Sequence, residues 1–190
     1  MGKVIAGMSM SLDGFVNDSN EGVDKLFSDF DELHDVPSFQ KMIADTGAVI
    51  MGRHTYEMAD PFLWANDDYE FQTPIFVVTH TAPEKFPQGN GKLSFTFVTD
   101  GIESAVSQAK KTAGDKDVQV LGASIIQQAL NAGVCDELQM DIMPVLLGKG
   151  LRLFENIDTD KIQLERINVD EPTAARTSIA FKVTKVNSNN

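Results

Sequence analysis

Short apolar runs alternate with amphipathic stretches along almost the whole chain. The apolar runs predict buried strands at 3–9, 48–51, 74–79, 94–98, 118–121 and 137–143. Apolar residues at helical spacing predict helices at 37–45 and 102–113, and a further helix ends at Gly133. Segment 53–59, directly after the strand that ends at Gly52, is interpreted as one or two helical turns. Strands that alternate with helices predict an α/β fold with a mostly parallel sheet, because such crossovers are right-handed.

The two helices after residue 100 open with the spacing of a capping box. Asp100 is followed by Glu103, and Ser124 is followed by Gln127. In this motif the first side chain accepts a hydrogen bond from a free N–H group at the helix start. We therefore expect Asp100 and Ser124 to cap these helices.

The last two predicted strands, at 162–169 and 177–186, have only a turn at Pro172 between them. So short a connection requires antiparallel pairing. Apolar residues alternate with polar ones in segment 177–186, which is typical of a strand with one solvated face. We expect this strand to leave an apolar edge that a second copy covers, which gives a homodimer.

Composition limits the class of protein. The 190 residues include 16 Lys and Arg against 28 Asp and Glu, a net charge of −12, and 42% are hydrophobic. Such a chain folds as one globular domain, expected at 1–186, with a disordered tail at 187–190. The acidic balance argues against nucleic-acid and membrane-surface partners. With Cys135 as the lone cysteine and no signal-like start, we expect a cytoplasmic protein without disulfides or a metal site.

Three predicted strand ends carry residues suited to an anionic ligand. They are Gly52 with Arg53, His54 and Thr55; Thr79 with His80; and Gly122 with Ala123, Ser124 and Ile125. Ligands of open α/β sheets bind beyond the carboxyl ends of the strands, where helix starts offer free N–H groups. Each end could instead be a tight turn, but three successive ends with this chemistry favour a phosphate-bearing ligand.

The motif Ile-Met-Gly-Arg-His-Thr-Tyr-Glu at 50–57 resembles the cofactor motif of dihydrofolate reductases, as do segments 4–6 and 121–124. Segments 11–14, 133–138 and 144–150 are more similar to the reductase domain of the bifunctional riboflavin-biosynthesis deaminase-reductase and its stand-alone bacterial relatives. The resemblance covers about residues 4–183. It implies a three-layer α/β/α fold, a central sheet of about eight strands, and NADPH as the hydride donor.

The resemblance also assigns the cofactor contacts by position. It implies Arg53, His54 and Thr55 at the phosphates, Thr79 and His80 at the 2′-phosphate, Gly122 to Ile125 at the pyrophosphate, and Ala6 and Val16 beside the nicotinamide. Two positions depart from the family pattern. Ala123 replaces the second glycine of dihydrofolate reductases, and Gly7 replaces a lysine of the riboflavin reductase domain. The second departure argues against the riboflavin intermediate as the substrate.

Three carboxyl groups are candidates for supplying or relaying the proton that must accompany the hydride. Asp35, with Phe39 four residues later, resembles the pair on the pterin-site helix, although Asp35 could instead cap that helix. Asp13 could serve or could be a turn residue. Asp141 lies mid-strand, where aspartate is disfavoured, so it faces either a wet cleft or solvent. We expect Phe39 and Asp141 to line the substrate site.

These observations favour an NADPH-dependent reductase of a small pterin-, folate- or pyrimidine-like substrate. One alternative is a nucleotide-binding module of the same fold that has no catalytic activity. Another is a flavodoxin-like electron carrier, which would be yellow as purified. Consumption of NADPH separates the reductase from the binding module.

Overall fold

Eight strands form one mixed sheet in the computed structural model, which describes residues 2–58 and 69–186. The strands are β1 (Val4–Ser11), β2 (Thr46–Gly52), β3 (Ile75–Val78), β4 (Phe95–Val98), β5 (Asp117–Leu121), β6 (Glu137–Met143), β7 (Ile162–Asp170) and β8 (Thr177–Lys185). The helices are α1 (Phe30–His34), α2 (Pro37–Asp45), α3 (Arg53–Glu57), α4 (Ile102–Ala113) and α5 (Ala123–Ala132). Short 3₁₀ turns span Asp24–Leu26 and Thr159–Lys161.

The strand order is β4-β3-β2-β5-β1-β6-β8-β7. Neighbouring strands are parallel from β4 to β6, and β8 pairs antiparallel with both β6 and β7. The predicted α/β fold, with a mostly parallel sheet and antiparallel last strands, is confirmed. The register between β2 and β5 places Met51 beside Leu121, so the starts of α3 and α5 lie next to each other.

The predicted sheet edge at 177–186 is wrong. β8 lies between β6 and β7, so β7 forms the edge although it comes first in the chain. Alternation within a strand shows which residues share a face, but it carries no information on the order of strands in the sheet. Leu164, Ile167 and Val169 of the edge strand are exposed.

Helices pack on both faces of the sheet, which confirms the three layers. On one face, α4 and α5 cover a cluster that includes Val4, Ala6, Ile50 and Val120. On the other face, a smaller cluster around Val49, Met51, Ile75 and Val77 packs against Tyr56 and Phe71. This second cluster covers β2 and β3, and the same face of β5, β1 and β6 is left for the candidate site.

Helix α4 spans the predicted residues, but neither predicted capping box forms. The N-cap residues are Gly101 and Gly122, and no side chain caps either helix. Both glycines have positive φ, 97° and 95°, so the chain enters each helix in a conformation that side chains of L residues rarely adopt. Ser124 lies inside the first turn of α5, where its Oγ accepts a hydrogen bond from Gln128.

Within residues 2–58 and 69–186, no helix combines the length and the apolar character needed to cross a bilayer. The tail expected at 187–190 lies outside the described residues, as does the last residue of the helix expected at 53–59.

Candidate functional site

A cleft of about 1150 Å³ opens on the sheet face that α4 and α5 leave free. Alternate residues of β5, β1, β6 and β8 form its floor. The segment before β2 forms an apolar wall that includes Phe27, Phe30, Leu33, Phe39 and Met42. The starts of α3 and α5 form one end. The cleft is large enough for a dinucleotide together with a small substrate.

Strand register determines which side chains reach the floor. Ile5 of β1 lies beside Gln119 of β5, and Gly7 lies beside Gln139 of β6. Because successive side chains point to opposite faces, polar residues at every second position share the floor. The β6 sequence Glu-Leu-Gln-Met-Asp carries this pattern, with its polar residues in the cleft and its apolar ones in the core.

A buried guanidinium joins the floor to the wall. Arg176 donates from Nε and Nη2 to the two carboxylate oxygens of Asp29, at 3.0 and 2.7 Å. Its Nη1 donates to Ser9 Oγ at 2.7 Å and to Asp141 Oδ2 at 2.8 Å. Burial alone would raise the pKa of Asp29, but the hydrogen bonds and charge of Arg176, with a hydrogen bond from Thr173, lower it. Sequence reasoning missed this network, because Arg176 and Asp29 are 147 residues apart.

The structure places Asp141 in the cleft, so of the two alternatives its side chain faces the wet cleft and not bulk solvent. Its other oxygen accepts a hydrogen bond from the Ser178 hydroxyl. Phe39 lies on the cleft wall, with its ring centroid 6.4 Å from that of Phe30 in an edge-to-face contact. Both predicted substrate residues therefore line the cleft.

The predicted cofactor residues converge on the same cleft, with one exception. The lining residues include Val16, Gly52, Arg53, His54, Thr55, Thr79, His80, Gly122, Ala123, Ser124 and Ile125. The exception is Ala6, which is 0% exposed and packs in the core on the opposite face. The side chain of Ala6 therefore points away from the cleft, while its neighbours Ile5 and Gly7 line the cleft.

The two glycines that precede α3 and α5, Gly52 and Gly122, are closely packed against neighbouring side chains. A Cβ added to Gly122 would lie 2.3 Å from Thr55 Oγ1, and one added to Gly52 would lie 2.9 Å from Ile125 Cγ1. Since no side chain caps α5, the N–H groups of Ala123 and Ser124 have no partner within the helix, whereas those of Ile125 and Ile126 donate to the Gly122 carbonyl at 3.1 and 3.0 Å. This arrangement can hold an anionic group close to the backbone.

Side chains at this end can donate hydrogen bonds to an anionic group. Arg53 and His54 are exposed; Arg53 Nε donates to Glu57 at 2.8 Å, and His54 Nε2 lies 3.9 Å from Glu21 Oε1. His80 is also exposed. Thr79 differs from the expectation: its hydroxyl donates to the Thr81 carbonyl at 2.9 Å and closes a turn. Arg53 and the two histidines therefore remain as the groups able to contact a phosphate.

Neither predicted catalytic aspartate lies in the cleft. Asp35 is exposed and follows the last residue of α1, so it caps neither helix start and is not desolvated beside a ligand. The N-cap of α2 is Val36. Asp35 therefore lies away from any ligand that the cleft holds.

Asp13 instead holds two loops together. It accepts hydrogen bonds from Ser11 Oγ at 2.7 Å and from the backbone N–H groups of Leu147 and Gly148, at 3.1 and 2.7 Å. The Ser11 hydrogen bond is the largest cause that lowers the pKa of Asp13 to about 2, and the backbone bonds add to it. An acid this strong is ionised at neutral pH and has no proton to give.

Comparisons with known proteins agree with this geometry. The family model of the RibD C-terminal domain matches residues 2–175. The uncharacterized protein YyaP of Bacillus subtilis (strain 168) is 26% identical over 170 residues, which cover 87% of each chain.

Two solved structures share the fold. The diaminohydroxyphosphoribosylaminopyrimidine deaminase/5-amino-6-(5-phosphoribosylamino)uracil reductase of Thermotoga maritima has a TM-score of 0.67 and 14% identity, over 95% of this chain and 56% of that one. Dihydrofolate reductase from Enterococcus faecalis, complexed with NADP(H), has a TM-score of 0.57 and 17% identity, over 96% of both chains. At these identities the likeness establishes the fold alone.

Proposed function

The chain belongs to the family of the RibD C-terminal domain, and from that membership we propose that it is an NADPH-dependent reductase of a small pterin-, folate- or pyrimidine-like substrate. The observation that carries the proposal is the single cleft that joins two glycine-led helix starts to a polar floor. One end suits a polyanionic cofactor and the rest suits a flat ring.

The residues at the helix starts fit NADPH. The N–H groups of Ala123 and Ser124 at the start of α5 would hold the pyrophosphate, and Gly122 would let it approach the backbone. Arg53, His54 and His80 would contact the 2′-phosphate, and Val16 would lie beside the nicotinamide. When bound there, NADPH supplies the hydride.

The proton would come from water that enters the cleft. Every carboxylate that lines the described part of the cleft already accepts a hydrogen bond, from a lysine, an arginine or a backbone N–H group. These carboxylates are Asp45, Asp117, Glu137, Asp141 and Asp170. Each of these carboxylates is thus already engaged in a contact within the protein, and water that enters the cleft is the remaining source of a proton.

The test compares NADPH and NADH in a binding titration. A charge-assisted hydrogen bond typically contributes about 1.5–3 kcal/mol, so Arg53→Ala should weaken NADPH about tenfold or more and leave NADH unchanged. Lys111→Ala, which removes an exposed cation on α4 outside the cleft, is the matched control. Equal loss for both cofactors would reject the assigned role of Arg53. Absorbance assays with a substrate panel then show whether NADPH is consumed, which separates a reductase from a module that only binds nucleotides.

We also propose that the protein is a homodimer joined through β7. That strand presents unpaired backbone groups at the sheet edge, together with exposed Leu164, Ile167 and Val169. Sedimentation should give twice the 20.8 kDa of one chain, and Ile167→Glu should shift the equilibrium to the monomer. A concentration-independent monomer of the unchanged protein would overturn this assembly.

A further inference from the structure

Two glutamine side chains on the cleft floor have no hydrogen-bond partner among the described residues. Gln119 is only 3% exposed, and Gln139 is half-buried. Both line the cleft. A ring that enters the cleft displaces water from these two amides, and a desolvated amide without a partner costs free energy. A ligand bound on the floor must therefore complete their hydrogen bonds.

The two amides lie on either side of a glycine. Gly7 pairs in register with Gln139 on one side, and the β5 strand that carries Gln119 runs along the other. A Cβ added to Gly7 would lie 3.8 Å from Gln119 Oε1, and no other atom would come within 4 Å. The floor between the amides is thus open and flat.

Cations near this floor are already neutralised. The described lysines and arginines along it pair with carboxylates as Lys3–Glu137, Lys41–Asp45, Arg176–Asp29 and Arg176–Asp141, at 2.5 to 2.8 Å. Asp117 and Asp170 also line this part of the cleft. Carboxylates therefore outnumber cations here, and an anionic substituent would be repelled.

The opposite end of the cleft carries the donor side chains Arg53, His54 and His80. Arg53 pairs with Glu57 at 2.8 Å and His54 Nε2 lies 3.9 Å from Glu21, but neither glutamate lines the cleft. The donors lie at one end and the carboxylates along the floor, so the cleft has an end for phosphates and a floor for an uncharged group. The apolar wall across from the floor, with Phe30 and Phe39, suits the face of a flat ring.

We propose that the floor binds an uncharged planar ring with an amide-like edge, that Gln119 and Gln139 are specificity-determining residues for it, and that the ring carries no phosphate or carboxylate. This inference rests on the proposed function, since the ring is the hydride acceptor. A glutamine amide donates and accepts at once, as do the lactam and amidine edges of such rings. A site built from paired amides discriminates strongly against rings that lack these groups.

The experiment uses 6-methylpterin and 6-carboxypterin as probes, because they share one fluorescent ring and differ in the charge of one substituent. Fluorescence titration of the full chain should show binding of 6-methylpterin. Binding of 6-carboxypterin should be about tenfold weaker or worse, since its carboxylate meets unpaired negative charge. Equal or tighter binding of 6-carboxypterin would overturn the inference, and so would failure of both probes to bind.

Variants test the two amides. Gln119→Leu and Gln139→Leu should each weaken 6-methylpterin about tenfold, as expected for the loss of a neutral hydrogen bond. Gln108→Leu changes an exposed glutamine on α4, on the far face of the sheet, and should leave binding unchanged. Gln119→Met and Gln139→Met repeat the test if circular dichroism shows that a leucine variant is misfolded. Unchanged binding in both well-folded variants would reject the role of the amides.

A separate titration with NADPH keeps this inference distinct from the proposed function. If NADPH binds and 6-methylpterin does not, the assignment of the floor fails while the reductase proposal stands. If 6-methylpterin binds as expected and NADPH does not, the floor is assigned correctly and the reductase proposal fails.

Discussion

Replacement of Asp29 by asparagine tests the buried ion pair most directly. The side chains of Arg176 and Asp29 are 0% and 4% exposed, and they share two hydrogen bonds. Removing one partner of such a pair typically costs about 3–5 kcal/mol, because the other charge stays buried. Arg176 retains Asp141, Ser9 and the Leu26 carbonyl, so we expect Asp29→Asn to lower the free energy of unfolding by about 3 kcal/mol.

Asp141→Asn is the matched control. This carboxylate contacts the same guanidinium at 2.8 Å, but its side chain is 31% exposed. Because solvent screens exposed ion pairs, they contribute about 1 kcal/mol or less to stability. Asp141→Asn should therefore lower the free energy of unfolding by at most a third of the amount expected for Asp29→Asn. The double variant Asp29→Asn, Arg176→Met should recover part of the loss, because it leaves no buried charge at either position.

Urea denaturation followed by circular dichroism measures these differences, provided that the m-value stays constant. The pKa of Asp29 is lowered in the folded state, so its contribution is full above the ordinary value of 3.8 and is lost as pH falls below it. The difference in free energy of unfolding between the unchanged protein and Asp29→Asn should therefore disappear in acid. A loss within about 0.5 kcal/mol at neutral pH, or one equal to that of Asp141→Asn, would refute this reasoning.

Two further predictions concern the loops around the cleft. Gly122→Ala should cost about 1–3 kcal/mol in urea denaturation and weaken NADPH binding, since Gly122 has a φ of 95° and the new Cβ would clash with Thr55; a stability equal to that of the unchanged protein would contradict this. The carboxyl of Asp13 should titrate at about pH 2 in carbon NMR, so the loop contacts it makes are complete above pH 3.8 and lost as pH falls through about 2. A titration near 3.8 would show that these contacts do not form.

Strong local periodicity explains which parts of the fold could be predicted. The spacing of Ile102, Ala105, Val106 and Ala109 predicts α4, because residues three and four positions apart lie on the same face of a helix. Helix α1 escaped prediction because its five residues are too few to show a period, whereas the equally short α3 directly follows a strand end marked by Gly52. The order of β7 and β8 depends on which strand docks against β6, and no local pattern encodes that choice.

The candidate site was predicted in part for the same reason. The cofactor end lies on two short motifs, so residues such as Arg53 and Gly122 could be named from the sequence. Asp35 lies in a segment that matches the family motif, but whether its side chain is buried depends on packing against distant residues. The local sequence therefore could not predict its exposure. Arg176 and Asp29 gave no signal, because an ion pair between distant residues has no spacing to detect.

The position of β8 between β6 and β7 also constrains how the chain folds as it is synthesised. When β7 leaves the ribosome, the strand that will pair with it has not yet been made, and the edge of β6 is still bare. The two last strands are neighbours in sequence, so their hairpin closes a short loop and can form before it docks. Docking then brings Arg176 onto Asp29, and the cleft floor is completed by the final residues of the fold. A nascent chain that stalls before β8 would therefore present the β6 edge, and chaperones that bind unpaired strands would recognise that intermediate.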